Sequence, residues 1–226
     1  MRFKLALAGD TMLGRGVAKE LRTRSPKSLF SEEVVEALGE ADAFVLNLEC
    51  CISERGTHWS APGKPFFFRA PPAAVEALQH LGVDCVTLAN NHALDFSEPA
   101  LLDTFDHLEA ARIAWVGAGT DVQRARAPAR LRVNGSSLTI VACSDHPDDF
   151  AAGEGQPGIA YADLSARLPQ WLRRAVHAEE ASLVLVMAHW GPNMVTTPRP
   201  YIRDASTALV DAGATLVAGH SAHVFH

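Results

Sequence analysis

Acidic, amide and imidazole side chains recur at five separated points of this 226-residue chain, each at the end of a short apolar run. Asp10 follows FKLALAG, Glu49 closes AFVLNLE, and Asn91 with His92 follows DCVTLAN. His189 stands in SLVLVMAHW, while His220 and His223 follow ATLVAG. Carboxylate and imidazole donors together suit borderline divalent ions such as Mn, Fe or Zn. Two such ions about 3.5–4 Å apart activate water and stabilise the charge that develops in phosphoester hydrolysis. A bridging carboxylate, several imidazoles and a neutral amide oxygen are enough to build that clamp. Each residue also has an ordinary role. Asp10 would cap a following helix, Glu49 would be solvated, and Asn91 would take a left-handed turn. His92 would pair with Asp95, and His189 would be a satisfied strand-end histidine. Their concurrence at five run ends favours one shared site over five unrelated accidents.

The elements that must position these groups follow from periodicity. Residues 3–9 read as a buried first strand, 43–49 as a second and 84–90 as a third. Between them lie amphipathic helices at 32–40 and 73–81, the latter opened by Pro71-Pro72. A helix over 98–111 carries Leu101, Leu102, Phe105 and Leu108 on one stripe, and 113–118 is a further strand. This alternation predicts an α/β fold with a mostly parallel sheet and right-handed crossovers. Ligands of such a sheet bind beyond the carboxyl ends of its strands, which is where the chemistry-bearing residues stand. The pattern then changes: Asn134-Gly135 between two alternating runs predicts an antiparallel hairpin. A helix at about 163–180, a strand at 182–190, a helix near 204–212 and a strand at 214–219 complete the reading. One domain over 1–226 is expected, with the long loops 52–69 and 144–160 as the places for a substrate lid.

Composition removes several classes. The net charge is −6 without a Lys/Arg cluster, so neither nucleic acid nor an anionic membrane is an expected partner. No apolar run approaches the roughly 18 residues a transmembrane helix needs. The apolar stretch Leu5 to Gly9 is too short for a secretory leader, so a cytoplasmic location is expected. Cys50, Cys51, Cys85 and Cys143 have neither zinc-ribbon nor redox spacing and read as reduced structural thiols. There is no phosphate-cradling loop ending in Gly-Lys-Ser/Thr, no dinucleotide glycine fingerprint and no Gly-x-Ser-x-Gly elbow.

In order along the chain, GDTMLGR (9–15), NLEC (47–50), LANNHALDF (88–96), AHWG (188–191) and GHSAH (219–223) resemble the motifs of one family. It is the CapA-like capsule and poly-γ-glutamate synthesis family, within the calcineurin-like metallophosphoesterase superfamily. GAGTDVQRARAP (117–128) also resembles that family's loop after its third helical unit. The resemblance implies a layered α-β-β-α sandwich. It implies a divalent metal cofactor, one or two ions, held by Asp10, Glu49, Asn91, His189, His220 and His223. Glu49 would be the bridging carboxylate; His189 and His220 would share an ion with Asn91, and His223 would share one with Asp10. His92 would hydrogen-bond the scissile phosphate or protonate the leaving group, with Asp10 and Glu49 completing the catalytic set. Three positions depart from the superfamily's usual pattern: Met12 replaces a histidine, Glu49 an aspartate and Asn90 a glycine, although CapA-like members share these changes. Family members continue beyond Gly-His-x-x-His, so the resemblance also implies a second sheet lacking its last strands. His226 is expected to be a solvated end residue.

Three functions are expected. The first is a metal-dependent hydrolase acting on a phosphoester or related linkage in a small-molecule, polymer or peptide substrate. The second, motivated by Met12, is metal-independent proton transfer with His92 and Glu49 as acid and base, for instance epimerisation on a peptide. The third is a non-catalytic component of a polymer-synthesis complex, with Arg15, Lys64 and Arg69 supplying a local cationic rim.

Overall fold

The first apolar run becomes a sheet edge and not a buried strand. In the computed structural model, which describes residues 3–60, 63–177 and 183–225, the chain divides into two compact units. Met1–Val86 with His92–Trp115 make up the first, and Thr87–Asn91 with Val116–His226 the second. The first unit runs β1 (Leu5–Thr11), α1 (Arg15–Thr23), α2 (Glu32–Gly39), β2 (Ala43–Leu48), β3 (Cys51–Ile52), β4 (Arg69–Ala70), α3 (Ala74–His80), β5 (Cys85–Thr87), α4 (Ser97–Ala110) and β6 (Ala114–Val116). The last residues of β5 and β6 fall in the second unit.

The sheet of this unit has the order β1-β2-β5-β6, so among the described residues β1 has a neighbour on one side only, and Leu7 is exposed. β2 and β5 are the interior strands, each buried along its whole length, as expected for continuous apolar runs in a parallel sheet. The short strands β3 and β4 pair in parallel beside it. On α4, Ala100, Leu101, Thr104, Phe105 and Leu108 are buried at three- and four-residue spacing. The Thr104 hydroxyl donates to the Ala100 carbonyl at 2.7 Å and accepts the Ile52 N–H at 2.8 Å, tying α4 to β3. Helix α1 is not announced by its sequence, because its buried face is only Ala18 and Leu21.

The second unit runs β7 (Ala118–Gly119), α5 (Val122–Arg126), β8 (Ala129–Val133), β9 (Ser136–Ser144), β10 (Gly158–Ile159), α6 (Gln170–Val176), β11 (Leu183–His189), α7 (Pro200–Asp211) and β12 (Leu216–His220). Its sheet has the order β12-β11-β9-β8, with β11 parallel to both neighbours and β8–β9 antiparallel. The predicted hairpin turn is present: Asn134 and Gly135 both have positive φ, 49° and 78°, the arrangement of a two-residue primed turn. Val141, Cys143, Val184 and Val186 from the sheet pack with Leu172 of α6 and Ile202 and Leu209 of α7 in one buried cluster. Burying each such side chain is worth about 1.5–3 kcal/mol against exposure.

Three boundaries differ from the sequence reading. The helix expected from 163 begins at Gln170, because Pro169 stands at its N-cap and Asp163 folds back to accept the Ser165 N–H at 2.9 Å. Its expected end at 178–180 and the expected strand start at Ser182 lie outside the described residues. The helix expected near 204 starts at Pro200, whose fixed φ suits the first turn. Helix α5 sits within the segment read as a family loop, nucleated by Asp121, whose side chain accepts the N–H groups of Gln123 and Arg124. All four cysteines are free and buried. Burial pushes the Cys50 and Cys143 thiols up to about 12, in keeping with structural thiols.

Candidate metal centre

In the first unit the parallel register of β1 and β2 shifts between Ala8 and Asp10, which brings Asp10 opposite Asn47. The Asn47 amide then donates to Asp10 Oδ1 at 2.7 Å. Asp10 is therefore a strand residue and not the helix cap; that position belongs to Gly14. Glu49 follows β2, its N–H donating to the Thr11 carbonyl at 2.9 Å, and its side chain is buried. Carboxylate oxygens of Asp10 and Glu49 lie within 4.8 Å of each other. Two ionised carboxylates at that separation repel by about 3–4 kcal/mol at an effective dielectric of about 20. Burial first, then the Asp10 and Asp95 charges, push the Glu49 carboxyl up to about 8, with Lys64 opposing.

His92 is held beside this pair. Its Nδ1 lies 2.5 Å from Asp95 Oδ2 and its Nε2 lies 3.9 Å from Glu49 Oε1. Phe68 stacks on the ring with centroids 3.9 Å apart, and its backbone N–H donates to Asp95 Oδ2 at 2.6 Å. Lys64 pairs with the other Asp95 oxygen at 2.9 Å. The His92–Asp95 pair, which the sequence offered as an ordinary alternative, is real. The carboxylate on Nδ1 fixes the ring and leaves Nε2 towards Glu49. The Met12 sulfur accepts the Gly14 N–H at 3.0 Å. The proposed cationic rim is largely committed elsewhere: Lys64 is mostly buried against Asp95, and the Arg69 guanidinium lies 4.0 Å over the Phe96 ring. Arg15 lies over Phe66 and Phe68.

In the second unit β11 and β12 keep register to their ends, so His189 faces His220 across the pair. His189 is buried and His220 half-buried. The Gly-His-Ser-Ala-His turn is pinned by the Ser221 hydroxyl donating to Gly191 O at 3.0 Å and by the Met194 N–H donating to Ala222 O at 2.8 Å. His223 sits in this turn with φ 54° and is exposed. His226 lies outside the described residues. Asn91 lines an open cleft of about 470 Å³ together with Asp145, His146, Gly191, Pro192, Asn193 and Tyr201.

Asp145 and His146 were not singled out by the sequence reading. Burial works against ionisation of Asp145, but hydrogen bonds from His146, Tyr201 and the Gly191 N–H outweigh it and hold the carboxyl below its usual range. The Tyr201 hydroxyl donates to Oδ2 at 2.8 Å, and His146 Nδ1 lies 2.5 Å from Oδ1. The His146 ring lies 5.3 Å from that of His189. The signal was available: Ser144-Asp145-His146 ends β9 in the same way that the other polar groups end their strands.

Residues 4–226 match the family described as bacterial capsule synthesis protein PGA_cap. The chain belongs to this family. It is 28% identical over 222 residues to the PGA biosynthesis protein CapA of Bacillus subtilis (strain 168), covering 97% of this chain and 57% of that protein. It is 32% identical over 258 residues to the "Probable polyglutamine synthesis accessory protein" of Mycobacterium tuberculosis (strain CDC 1551 / Oshkosh), covering 96% of this chain and 67% of that one. This PGA_cap chain thus spans between half and two thirds of the length of these curated relatives. The crystal structure of a 5′-nucleotidase precursor from Thermus thermophilus superposes with a TM-score of 0.51 at 15% identity, over 97% of this chain and 41% of that one. At that identity the likeness is one of fold: mixed α/β, of the metallophosphoesterase type.

Proposed function

We propose that this chain is a divalent-metal-dependent hydrolase of the calcineurin-like type, acting on a phosphoester or related linkage in capsule or poly-glutamate synthesis. The observation that carries the reading is the close pair of half-buried Asp10 and buried Glu49 with His92 held beside it. Two carboxylates this close fit a divalent cation, which supplies the countercharge their burial lacks. The donors would be Asp10, Glu49, Asn91, His189, His220 and His223, an oxygen and nitrogen set suited to Mn, Fe or Zn. A bound ion would supply a Lewis acid and a hydroxide at neutral pH. The chain's own residues do the rest. Asp95 orients the His92 ring, Phe68 shields one face of it, and Nε2, when it carries a proton, hydrogen-bonds the leaving oxygen or gives that proton to it. The capsule and poly-glutamate setting is taken from the names of the relatives.

Metal content per chain, measured by plasma mass spectrometry on untagged protein, tests this directly. About one to two equivalents of Mn, Fe or Zn are expected, lost in Asp10→Ala and His189→Ala together with hydrolysis of p-nitrophenyl phosphate. Folded protein that neither takes up metal nor turns over after reconstitution overturns the reading.

A second reading, metal-independent proton transfer on a peptide, draws on Met12, whose sulfur is spent on Gly14, and on Glu49 and His92 lying 3.9 Å apart. Chelator-insensitive incorporation of solvent deuterium into a glutamyl peptide would favour it; its absence would remove it. The accessory role in the mycobacterial relative's name suits a non-catalytic component, which a folded, metal-loaded but inert chain would support.

A further inference from the structure

Of the three cations that the sequence sets around Asp10, Glu49 and His92, two are spent within the first unit. Lys64 pairs with Asp95 at 2.9 Å, while Arg69 lies over Phe96 and donates to the Arg55 carbonyl at 3.1 Å. Arg15 is exposed, and among the described residues no carboxylate pairs with it. Its guanidinium lies 5.5 Å over the Phe66 ring and 5.9 Å over the Phe68 ring. Phe68 stacks in turn on His92, with centroids 3.9 Å apart. A single ring therefore joins this guanidinium to the imidazole that the hydrolase reading gives to the leaving oxygen.

Arginine is a costly choice at this position. Its φ is 52°, in the left-handed region that glycine or asparagine tolerates better. It opens α1, where the helix dipole disfavours a cation, and the first turn holds no acid to offset it. The preceding residue is fixed: the Gly14 N–H is bound to the Met12 sulfur at 3.0 Å, and a Cβ there would lie 3.1 Å from the Arg69 backbone. The return for Arg15 is two ring contacts near the outer limit of about 6 Å for a cation over an aromatic face. A guanidinium resting on rings is oriented, yet it keeps its N–H edge for a planar anion, which it grips through two parallel hydrogen bonds.

Building on the hydrolase reading, we propose that Arg15 is a further substrate-binding residue, which takes a second anionic group, carboxylate or phosphate, on the leaving side of the linkage that is cut. Phe66 positions its guanidinium. Arg15, Phe66, Phe68, His92, Asp10 and Glu49 all belong to the first unit. Loss of one such charge-assisted contact lowers affinity about tenfold.

The test compares 4-carboxyphenyl phosphate with its methyl ester, which keeps the ring and loses the second charge. Arg15→Met is expected to raise KM for the acid about tenfold more than for the ester, with a smaller change in kcat. Arg15→Lys, which keeps the charge without the planar fork, should recover part of the difference, and Phe66→Ala should lose part of it. Raising NaCl from about 50 to about 500 mM should narrow the wild-type preference for the acid, since salt screens an exposed pair. 1,4-Phenylene bisphosphate separates the two sources of charge: a larger Arg15→Met penalty on it than on the acid assigns a phosphate, a smaller one a carboxylate. Equal penalties on all three probes overturn the proposal and leave the hydrolase reading standing. If the wild type hydrolyses none of them, calorimetry with 4-carboxybenzylphosphonate and its methyl carboxylate ester decides. Weaker binding of the acid alone in Arg15→Met upholds the Arg15 assignment while the hydrolase reading falls; no such difference overturns the assignment.

Discussion

The strand pairs β1–β2 and β11–β12 carry their polar residues by opposite backbone devices. In the first, the register breaks between Ala8 and Asp10, and the break places a carboxylate opposite the Asn47 amide. In the second, the register runs unbroken from Leu185–Leu216 to His189–His220 and simply ends in two imidazoles. The first arrangement brings two carboxyl groups together at a largely buried place, where the Asn47 amide donates to Asp10 and Lys64 offsets the repulsion that Asp10 and Asp95 exert on Glu49. The second gathers two imidazoles, and hydrogen bonds pin the turn that follows. An irregularity bearing charge is costly to place, whereas a regular strand end bearing imidazole is cheap.

The largest effects are expected at the proposed metal donors. Glu49→Gln keeps the shape of the buried side chain but removes its charge. It is expected to lower kcat/KM on p-nitrophenyl phosphate by at least about a hundredfold, with loss of metal. His220→Ala should fall less steeply, since other imidazoles remain. Equal losses would show that the two donor sets contribute alike.

Next in size is the support of the charged half. Asp95→Ala strips His92, Lys64 and the Phe68 N–H of a shared acceptor and leaves a mostly buried ammonium. A cost of about 3–5 kcal/mol in urea unfolding is expected. Asp145→Ala, which frees only a hydroxyl, an N–H and a partly exposed imidazole, should cost about 1–3 kcal/mol.

Smaller again is a disturbance of the regular pair. A Cβ on Gly219 would lie 2.5 Å from the Trp190 indole nitrogen. Gly219→Ala should therefore cost about 1–3 kcal/mol by thermal or urea unfolding and lower metal affinity through His220.

The smallest effect is electrostatic and distant from the site. The Arg55 guanidinium, hydrogen-bonded to Asp103, holds that carboxyl below its usual range. A depressed folded pKa stabilises above the unfolded carboxylate value of about 3.9, and the contribution fades as pH falls through the lower folded value. Stability measured from pH 5 downwards should therefore decline slightly less in Asp103→Asn than in wild type; Arg55 is exposed, so the difference should be small.

Much of this molecule could be read in one dimension. β2 and β11 are apolar runs too long and too continuous to lie at a surface, and Asn134-Gly135 admits few turns other than the one found. Where one residue decided an element, the reading failed. Pro169 and Asp163 delayed α6, Asp121 created α5, and the two-residue buried face of α1 fell below any periodic signal. Asp145 and His146 escaped because their segment was read as a loop, although they end β9 as His189 ends β11.

The sequence by itself determined which residues stand at the carboxyl ends of strands, because hydrophobic runs set strand position and the residue after each run must emerge from the sheet. That Asp10 is a strand residue paired with Asn47 and not a helix cap was decided by the β1–β2 register shift. That His92 is oriented and not merely satisfied was decided by Phe68 and Lys64, respectively 24 and 28 positions away, meeting Asp95 and the ring. Local pattern specifies burial and periodicity, but a hydrogen bond or an ion pair between distant positions exists only once the intervening chain has closed around it.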